Sequence, residues 1–462
     1  MTLIKSISGI RGTIGGNPGD SLTPVDAVKF ASAYGSWLKK YNQKNKTKVV
    51  IGRDARISGE MISNLVCHTL TGLGIDVIDL GLSTTPTVEV AVPLENADGG
   101  IILTASHNPK QWNALKLLNA KGEFISGDDG KEILDIAAEE SFVFSEVDDL
   151  GHIETDSSYL KKHIDLILDL PLVDVEAIKK AQFTVVVDAV NSTGGIFIPA
   201  LLKALGVDDV IELYCNPTGD FPHNPEPLPE HLIDLSNLVI KENAHVGICV
   251  DPDVDRLALV CEDGSMFGEE YTLVAVSDYI LKHNPGATVS NLSSTRALRD
   301  VTESYNQSYT ASAVGEVNVV SAMKKTNAVI GGEGNGGIIY PELHYGRDAL
   351  VGIALILSHL AHKKCSLSEL RDAYPSYCIS KNKIQLTPEI NVDQILSKMA
   401  EKYSHEEVDT TDGVKIYIEK EWVHLRKSNT EPIIRIYSES QNETTAKELA
   451  NRIIEEIKSL IN

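Results

Sequence analysis

Ser106 stands in Thr104-Ala105-Ser106-His107-Asn108-Pro109, directly after an apolar run at 100–103 that predicts a buried strand. The Asn-Pro step forces a turn, because proline disfavours a helical conformation at the residue before it. A hydroxyl is thus set at the C-terminal lip of a strand, with His107 beside it and Lys116 ten residues on. The plain alternative is a strand-ending turn with polar surface residues. Asp251, Asp253 and Asp255 follow a second apolar run at 245–250, and their i, i+2, i+4 spacing turns three carboxylates to one side of an extended segment. Three such carboxylates repel unless a cation neutralises them. Hard oxygen donors without interleaved cysteine or histidine suit Mg²⁺. A solvated acidic turn is the alternative; an EF-hand is excluded, since loop position six is Arg256 where that motif needs glycine for its sharp turn.

Two further strings offer recognition chemistry. Arg426-Lys427-Ser428-Asn429-Thr430, with Arg435 beyond, supplies guanidinium forks, hydroxyls and an amide suited to a phosphate dianion, or else is a polar hairpin turn. Gly332-Glu333-Gly334-Asn335-Gly336-Gly337 lets the backbone approach a ligand while Glu333 and Asn335 could bond sugar hydroxyls, or else is a flexible loop.

The elements that must carry these loops follow in order. Residues 1–150 alternate helix and strand: Arg11 in a glycine-flanked loop at 8–13, a helix from Thr23-Pro24 to about 40, a strand at 48–54, a helix capped by Ser58 with Ile62, Val66 and Leu70 on one face, and strands at 75–80 and 100–105. Residues 151–255 repeat the pattern with strands at 183–188 and 245–250. Residues 256–373 do so again, with strands at 257–261 and 287–292 and helices at 269–281 and 347–362. Residues 374–462 differ: alternation at Val414, Ile416, Ile418, Trp422, His424, Ile434 and Ile436 predicts an antiparallel sheet, closed by a helix at 444–460. The expected fold is therefore three similar α/β domains and a smaller α+β C-terminal domain. Four loops of four chemistries point to one site in a central cleft where the domains meet.

Composition sets limits. At 462 residues, 42% hydrophobic and 23% charged, the chain has the profile of a multidomain soluble protein. No apolar run is long enough to span a bilayer, and the N-terminal residues lack a signal-peptide core. The six cysteines are scattered without a CxxC pair, which fits reduced thiols and a cytoplasmic setting. A net charge of −23 argues against nucleic-acid binding and means that any phosphate must be held in a local cationic pocket, for which Arg11, Lys116, Arg256, Arg426, Lys427 and Arg435 are candidates.

Together the four loops resemble those of the α-D-phosphohexomutase family, and the resemblance covers the whole chain. TASHNP is similar to the family's phosphoserine loop, DPDVDR to its metal loop, GEGNGG to its sugar loop and RKSNTEP to its phosphate loop. The resemblance implies a mutase interconverting hexose 6-phosphate and hexose 1-phosphate. Ser106 would carry phosphate, and a phosphate oxygen would join Asp251, Asp253 and Asp255 on Mg²⁺. Arg426, Ser428, Asn429 and Thr430 would hold the substrate's own phosphate, assisted by Arg435. A hexose 1,6-bisphosphate would be the intermediate. Lys116 matches the proposed general base, with a pKa lowered by neighbouring cations, and Arg11, His107 and Arg256 assist. Partners are expected to be sugar phosphates alone, with the protein a monomer or homodimer.

Departures bear on the sugar. Glu316, after Val314-Gly315, stands where the phosphomannomutase/phosphoglucomutase branch has histidine; Gly337 replaces a histidine and Ser293 a lysine. An acidic residue after Val-Gly resembles phosphoglucosamine mutases, whose sugar loop usually reads GEQSGH. The GEGNGG loop is closer to archaeal-type members. Glucosamine phosphate is the expected substrate, with mannose and glucose phosphates the alternative. A non-catalytic sugar-phosphate binder and a phosphatase are the rival classes, the first disfavoured because the serine and all three aspartates are present. A hinge is expected at 370–378.

Overall fold

A computed structural model describes residues 2–6, 9–42, 44, 46–385, 390–427 and 433–461. The chain divides into two compact units, Met1–Thr272 with Gly336–Ser368, and Leu273–Asn335 with Glu369–Asn462. No described helix is long and apolar enough to cross a membrane.

The first unit holds two sheets. One runs in the order Ile4–Ser6, Gly9–Thr13, Trp112–Leu118, Gly99–Leu103, Lys48–Arg53, Asp76–Leu82, Ile153–Thr155. Its central strands are buried runs of Val, Ile and Leu, as expected when helices cover both faces. Helix Pro24–Tyr41 begins where anticipated: Thr23 and Asp26 form a reciprocal capping box ahead of a proline at the first position. Ile62, Val66 and Leu70 line the buried face of Gly59–Gly72, each fully buried and worth about 1.5–3 kcal/mol of burial. Ser58, expected to cap that helix, makes no side-chain capping bond and instead accepts from Asn113 Nδ2 at 3.0 Å. The Arg11 segment, expected as a loop, is the strand Gly9–Thr13, paired antiparallel to Trp112–Leu118. The latter strand went unforeseen, since its alternation is hidden when both faces are buried.

The second sheet has the order Leu257–Cys261, Val246–Val250, Thr184–Asp188, Asp209–Leu213. Strand 257–261, assigned from sequence to the third domain, pairs antiparallel with 246–250 because the aspartate loop between them is short enough to return the chain on itself. Strand 153–155 likewise joins the first sheet, past the expected boundary at 150.

In the second unit, Tyr309–Ser312, Thr288–Asn291 and Ile330–Glu333 pair in parallel. The C-terminal sheet is antiparallel, in the order Cys378–Gln385, Ile433–Ser440, Glu421–Lys427, Val414–Ile418, Glu407–Asp409, backed by helices Val392–Lys402 and Glu443–Ile461. Its first and last strands were not anticipated; 378–385 carries lysines and polar residues at an edge, which mask strand periodicity. Of residues 370–378, expected as a hinge, 370–372 end a helix, 378 opens a strand and only 373–377 are irregular; Tyr374 and Tyr377 hydroxyls bond Asp278 at 3.0 Å and Asp300 at 2.6 Å.

Candidate active site

The antiparallel pairing of Gly99–Leu103 with Trp112–Leu118 sets Ile102 opposite Lys116, so the lysine projects beside the strand end that carries Ser106. Arg11 lies opposite Ala114, which puts it on the same sheet face as Lys116, two positions along. Ser106 adopts a left-handed φ of +48°, uncommon for a residue with a Cβ, and its amide donates to Thr104 Oγ1 at 2.9 Å. The Ser106 hydroxyl donates to Asp251 Oδ2 at 2.6 Å and lies 3.4 Å from His107 Nδ1.

The three aspartates are fully buried, and one carboxylate oxygen from each lies within 4.8 Å of the others. The loop is tight: Asp251 Oδ1 accepts from the amides of Asp255 and Arg256 at 3.2 and 3.1 Å, and Val254 is held at φ +64°, strained for a β-branched residue. Thr85 donates to Asp253 Oδ2 at 2.5 Å, Lys116 Nζ lies 2.7 Å from Asp253 and 3.5 Å from Asp255, and Arg347 Nη2 donates to Asp255 Oδ2 at 2.7 Å. Asp253 Oδ1 and Asp255 Oδ1 are nevertheless buried without a hydrogen-bond donor. Two orphaned anionic oxygens beside a third carboxylate are what an oxygen-seeking divalent cation would satisfy, so the residues fit Mg²⁺.

Electrostatics separate the three carboxyls. Burial, then the neighbouring Asp255 and Asp253, hold the Asp251 carboxyl well above its ordinary range. Burial also acts upward on Asp253, but the Lys116 ammonium outweighs it and the net direction is down. Lys116 departs from expectation. Burial would lower its pKa, yet the Asp253 and Asp255 carboxylates raise it above the usual lysine value, so the cations expected to depress it are outweighed by the anions it touches. Burial, reinforced by Arg256, lowers the His107 pKa to about 3. Arg256, mostly buried, stands 3.9 Å from both Asp255 and Glu226.

The serine loop has a brace that sequence reasoning missed. Arg56, fully buried, pairs with Asp54 at 2.9 Å and donates to the carbonyls of Pro109 at 2.8 Å, Trp112 at 3.1 Å, Asn108 at 2.7 Å and Ser106. Thr104 donates to the same Asp54 at 2.7 Å. The available signal was charge placed immediately after a buried strand, in Arg53-Asp54-Ala55-Arg56. Thr85 and Arg347 were missed for want of any local pattern.

In the second unit, Arg426 and Arg435 are direct cross-strand partners. Like charges in that relation are destabilising unless an anion joins them. Arg426 Nε lies 2.9 Å from Asp412 Oδ2, while Arg435 is exposed. Ser428, Asn429 and Thr430 lie outside the described residues. Glu333 is buried and accepts from Asn291 Nδ2 at 2.8 Å and the Gly315 amide at 3.1 Å; Asn335 is half-buried. Glu316 is buried in the first turn of Glu316–Thr326, after Gly315 at φ +112°. Ser293 bonds His424 Nδ1 at 3.0 Å.

Family models match along the chain in order: phosphoglucomutase/phosphomannomutase alpha/beta/alpha domain I at 3–144, domain II at 161–264, domain III at 268–377, and the C-terminal domain at 383–456. The chain belongs to the phosphoglucomutase/phosphomannomutase family. A phosphoglucomutase/phosphomannomutase from Thermococcus kodakarensis is 36% identical, over 96% of this chain and 98% of its own length. A phosphoglucosamine/phosphogalactosamine mutase from Sulfurisphaera tokodaii is 32% identical over 98% of each chain. A crystal structure of a phosphoglucomutase/phosphomannomutase family protein from Burkholderia thailandensis superposes with TM-score 0.85 at 26% identity, covering 99% of this chain and 98% of that one. The protein is an enzyme, a phosphohexomutase of the isomerase class, with the four-domain fold of that family.

Proposed function

We propose that this phosphohexomutase shuttles phosphate through Ser106 and that its preferred pair is glucosamine 6-phosphate and glucosamine 1-phosphate. The observation that carries the first part is the Ser106 hydroxyl, fixed by a left-handed backbone and bonded to Asp251 at 2.6 Å within the acidic triad. With Ser106 phosphorylated, a sugar hydroxyl oxygen forms a bond to phosphorus as the phosphorus–Oγ bond breaks. The hydroxyl proton leaves to a neighbouring base and Ser106 Oγ regains one. The bisphosphorylated sugar then reverses the exchange with its other phosphate. Arg56 and Thr104 hold the serine loop in place, Arg347 and Thr85 orient the aspartates, and the Arg426/Arg435 pair binds the phosphate that is not reacting. Asp251, Asp253 and Asp255 would hold Mg²⁺, which supplies positive charge to the phosphoryl oxygens and competes with Lys116 for the same carboxylates. Lys116 is then the group placed to give or take the proton, with His107, Arg11 and Arg256 assisting.

Glu316 supports the amino sugar. Glu316 is buried in the first turn of its helix, where its carboxylate could accept from the ammonium of a 2-amino sugar. Such a charge-assisted bond contributes about 1.5–3 kcal/mol, roughly ten- to a hundredfold in kcat/KM. The amino-sugar name of the Sulfurisphaera relative agrees. The name of the Thermococcus relative favours the second reading, glucose and mannose phosphates, in which Glu316 serves only the helix. Two measurements test the proposal. Peptide mass analysis of active enzyme should place a phosphate on Ser106, and full turnover by Ser106→Ala would refute the carrier. Comparison of kcat/KM for glucosamine, glucose and mannose phosphates should favour glucosamine in wild type and lose that preference in Glu316→Gln. An unchanged ratio refutes the role of Glu316.

A further inference from the structure

A second set of ligand-type side chains gathers in the first unit, apart from the aspartate triad. His163 comes from helix Tyr159–Leu168, Asp348 caps helix Ala349–Lys363, and His344 lies four residues before Asp348. His163 Nε2 is 3.0 Å and His344 Nε2 3.3 Å from the same Asp348 Oδ2. Glu89 Oε2, from helix Thr85–Leu94, is 3.5 Å from His344 Nδ1. His163 and Asp348 are fully buried, Glu89 is 1% exposed, and the His344 side chain is 11% exposed.

We propose that His163, His344 and Asp348, with Glu89 beside them, bind one divalent transition ion of the zinc type. Tetrahedral zinc bonds of about 2.0–2.1 Å space neighbouring ligand atoms about 3.3–3.4 Å apart, close to the separations found here. Two imidazoles distinguish the set from the all-oxygen triad and select a softer ion than Mg²⁺. Asp348 Oδ1 is occupied in accepting from the Leu350 and Val351 amides, which fixes the carboxylate and aims Oδ2 at both rings. His163 Nδ1 bonds Thr87 Oγ1 at 2.9 Å, the outer partner that sets a ligating ring's orientation.

The ion's role is structural. Thr85, at the start of the Glu89 helix, donates to Asp253, and Arg347, next to Asp348, donates to Asp255. Holding Asp348 and His344 on one ion, with Glu89 against the other nitrogen of His344, therefore steadies the two segments that carry Arg347 and Thr85. The competing arrangement is a purely hydrogen-bonded His–Asp–His cluster.

The test uses the full chain, purified without chelator and exchanged into excess Mg²⁺ so that the triad does not take up zinc. Metal content is measured by plasma mass spectrometry, Zn²⁺ is titrated calorimetrically, and anomalous scattering at the zinc edge locates any ion in crystals. One Zn²⁺ per chain is expected, bound at least tenfold more weakly by His344→Ala and retained by Asp253→Asn. No stoichiometric uptake by wild type, equal uptake by His344→Ala, or an anomalous peak elsewhere overturns the proposal. The wild-type count and the anomalous peak decide the matter even if a variant fails to fold.

Discussion

Arg56→Lys isolates the brace beneath Ser106, the proposed phosphate carrier. The native guanidinium makes one bond to Asp54 and reaches the carbonyls of Ser106, Asn108, Pro109 and Trp112. A lysine ammonium has three donors on one atom. It can keep the Asp54 pair and serve at most two carbonyls, leaving two or more of the four without this donor, and the three from Asn108, Pro109 and Trp112 are only part-buried. Each lost bond costs about 0.5–1.5 kcal/mol where water can reach the acceptor, so the variant should lose about 1–3 kcal/mol of stability. Arg56→Ala should lose more, because breaking a buried pair costs about 3–5 kcal/mol by itself. Burial already raises the Asp54 pKa with Arg56 present, so the alanine variant should meet part of that cost by protonating Asp54. The loss falls on the loop that holds Ser106, so activity should fall beyond what the unfolded fraction explains. A displacement of about 1 Å costs about a hundredfold in rate. Urea unfolding gives the stability, and steady-state turnover under conditions where the variant is fully folded gives kcat. Wild-type stability and kcat together in Arg56→Lys would show that the guanidinium does not position the loop.

Chelation by EDTA should abolish turnover and Mg²⁺ restore it. Asp253→Asn should raise the Mg²⁺ concentration needed for half-maximal rate by an order of magnitude or more, and an unchanged requirement would remove Asp253 from the metal set. Arg426→Ala should raise KM and lower kcat, since binding energy at the distant phosphate aligns the reacting hydroxyl; a change in neither parameter refutes that role. His424 has its pKa lowered to about 4, chiefly by burial, partly countered by the Asp412 carbonyl and reinforced by Lys415 and Arg426. The unfolded chain therefore binds a proton below about pH 6.5 that the folded chain refuses. Stability from this group is complete above that pH and is lost as pH falls toward 4, a change of about 3 kcal/mol. The pH slope of urea midpoints between 4 and 6.5 should shrink in His424→Gln, and an identical slope would rule out this histidine.

The chemistry of this chain is legible locally because its ligands come in short runs. Asp251, Asp253 and Asp255 share one loop, and Ser106 and His107 one turn, so spacing alone points to a candidate cation site and a placed hydroxyl. Helix Pro24–Tyr41 and strand Val246–Val250 are likewise written in a capping pair and an apolar run. What spacing cannot express is which distant side chains meet. Lys116 faces the aspartates only because an antiparallel strand returns it to the serine's strand end, and there the anions it meets reverse the direction expected for its pKa. Arg56 lies fifty residues from the serine it braces, and Arg347 ninety-two from the aspartate it holds. His163 and Asp348 stand 185 residues apart in sequence and 3.0 Å apart in space. A periodic pattern records which face of an element is buried. The partner that face will find is settled by topology and packing, so the candidate reacting groups are named by the sequence and the side chains that hold them appear only in the tertiary structure.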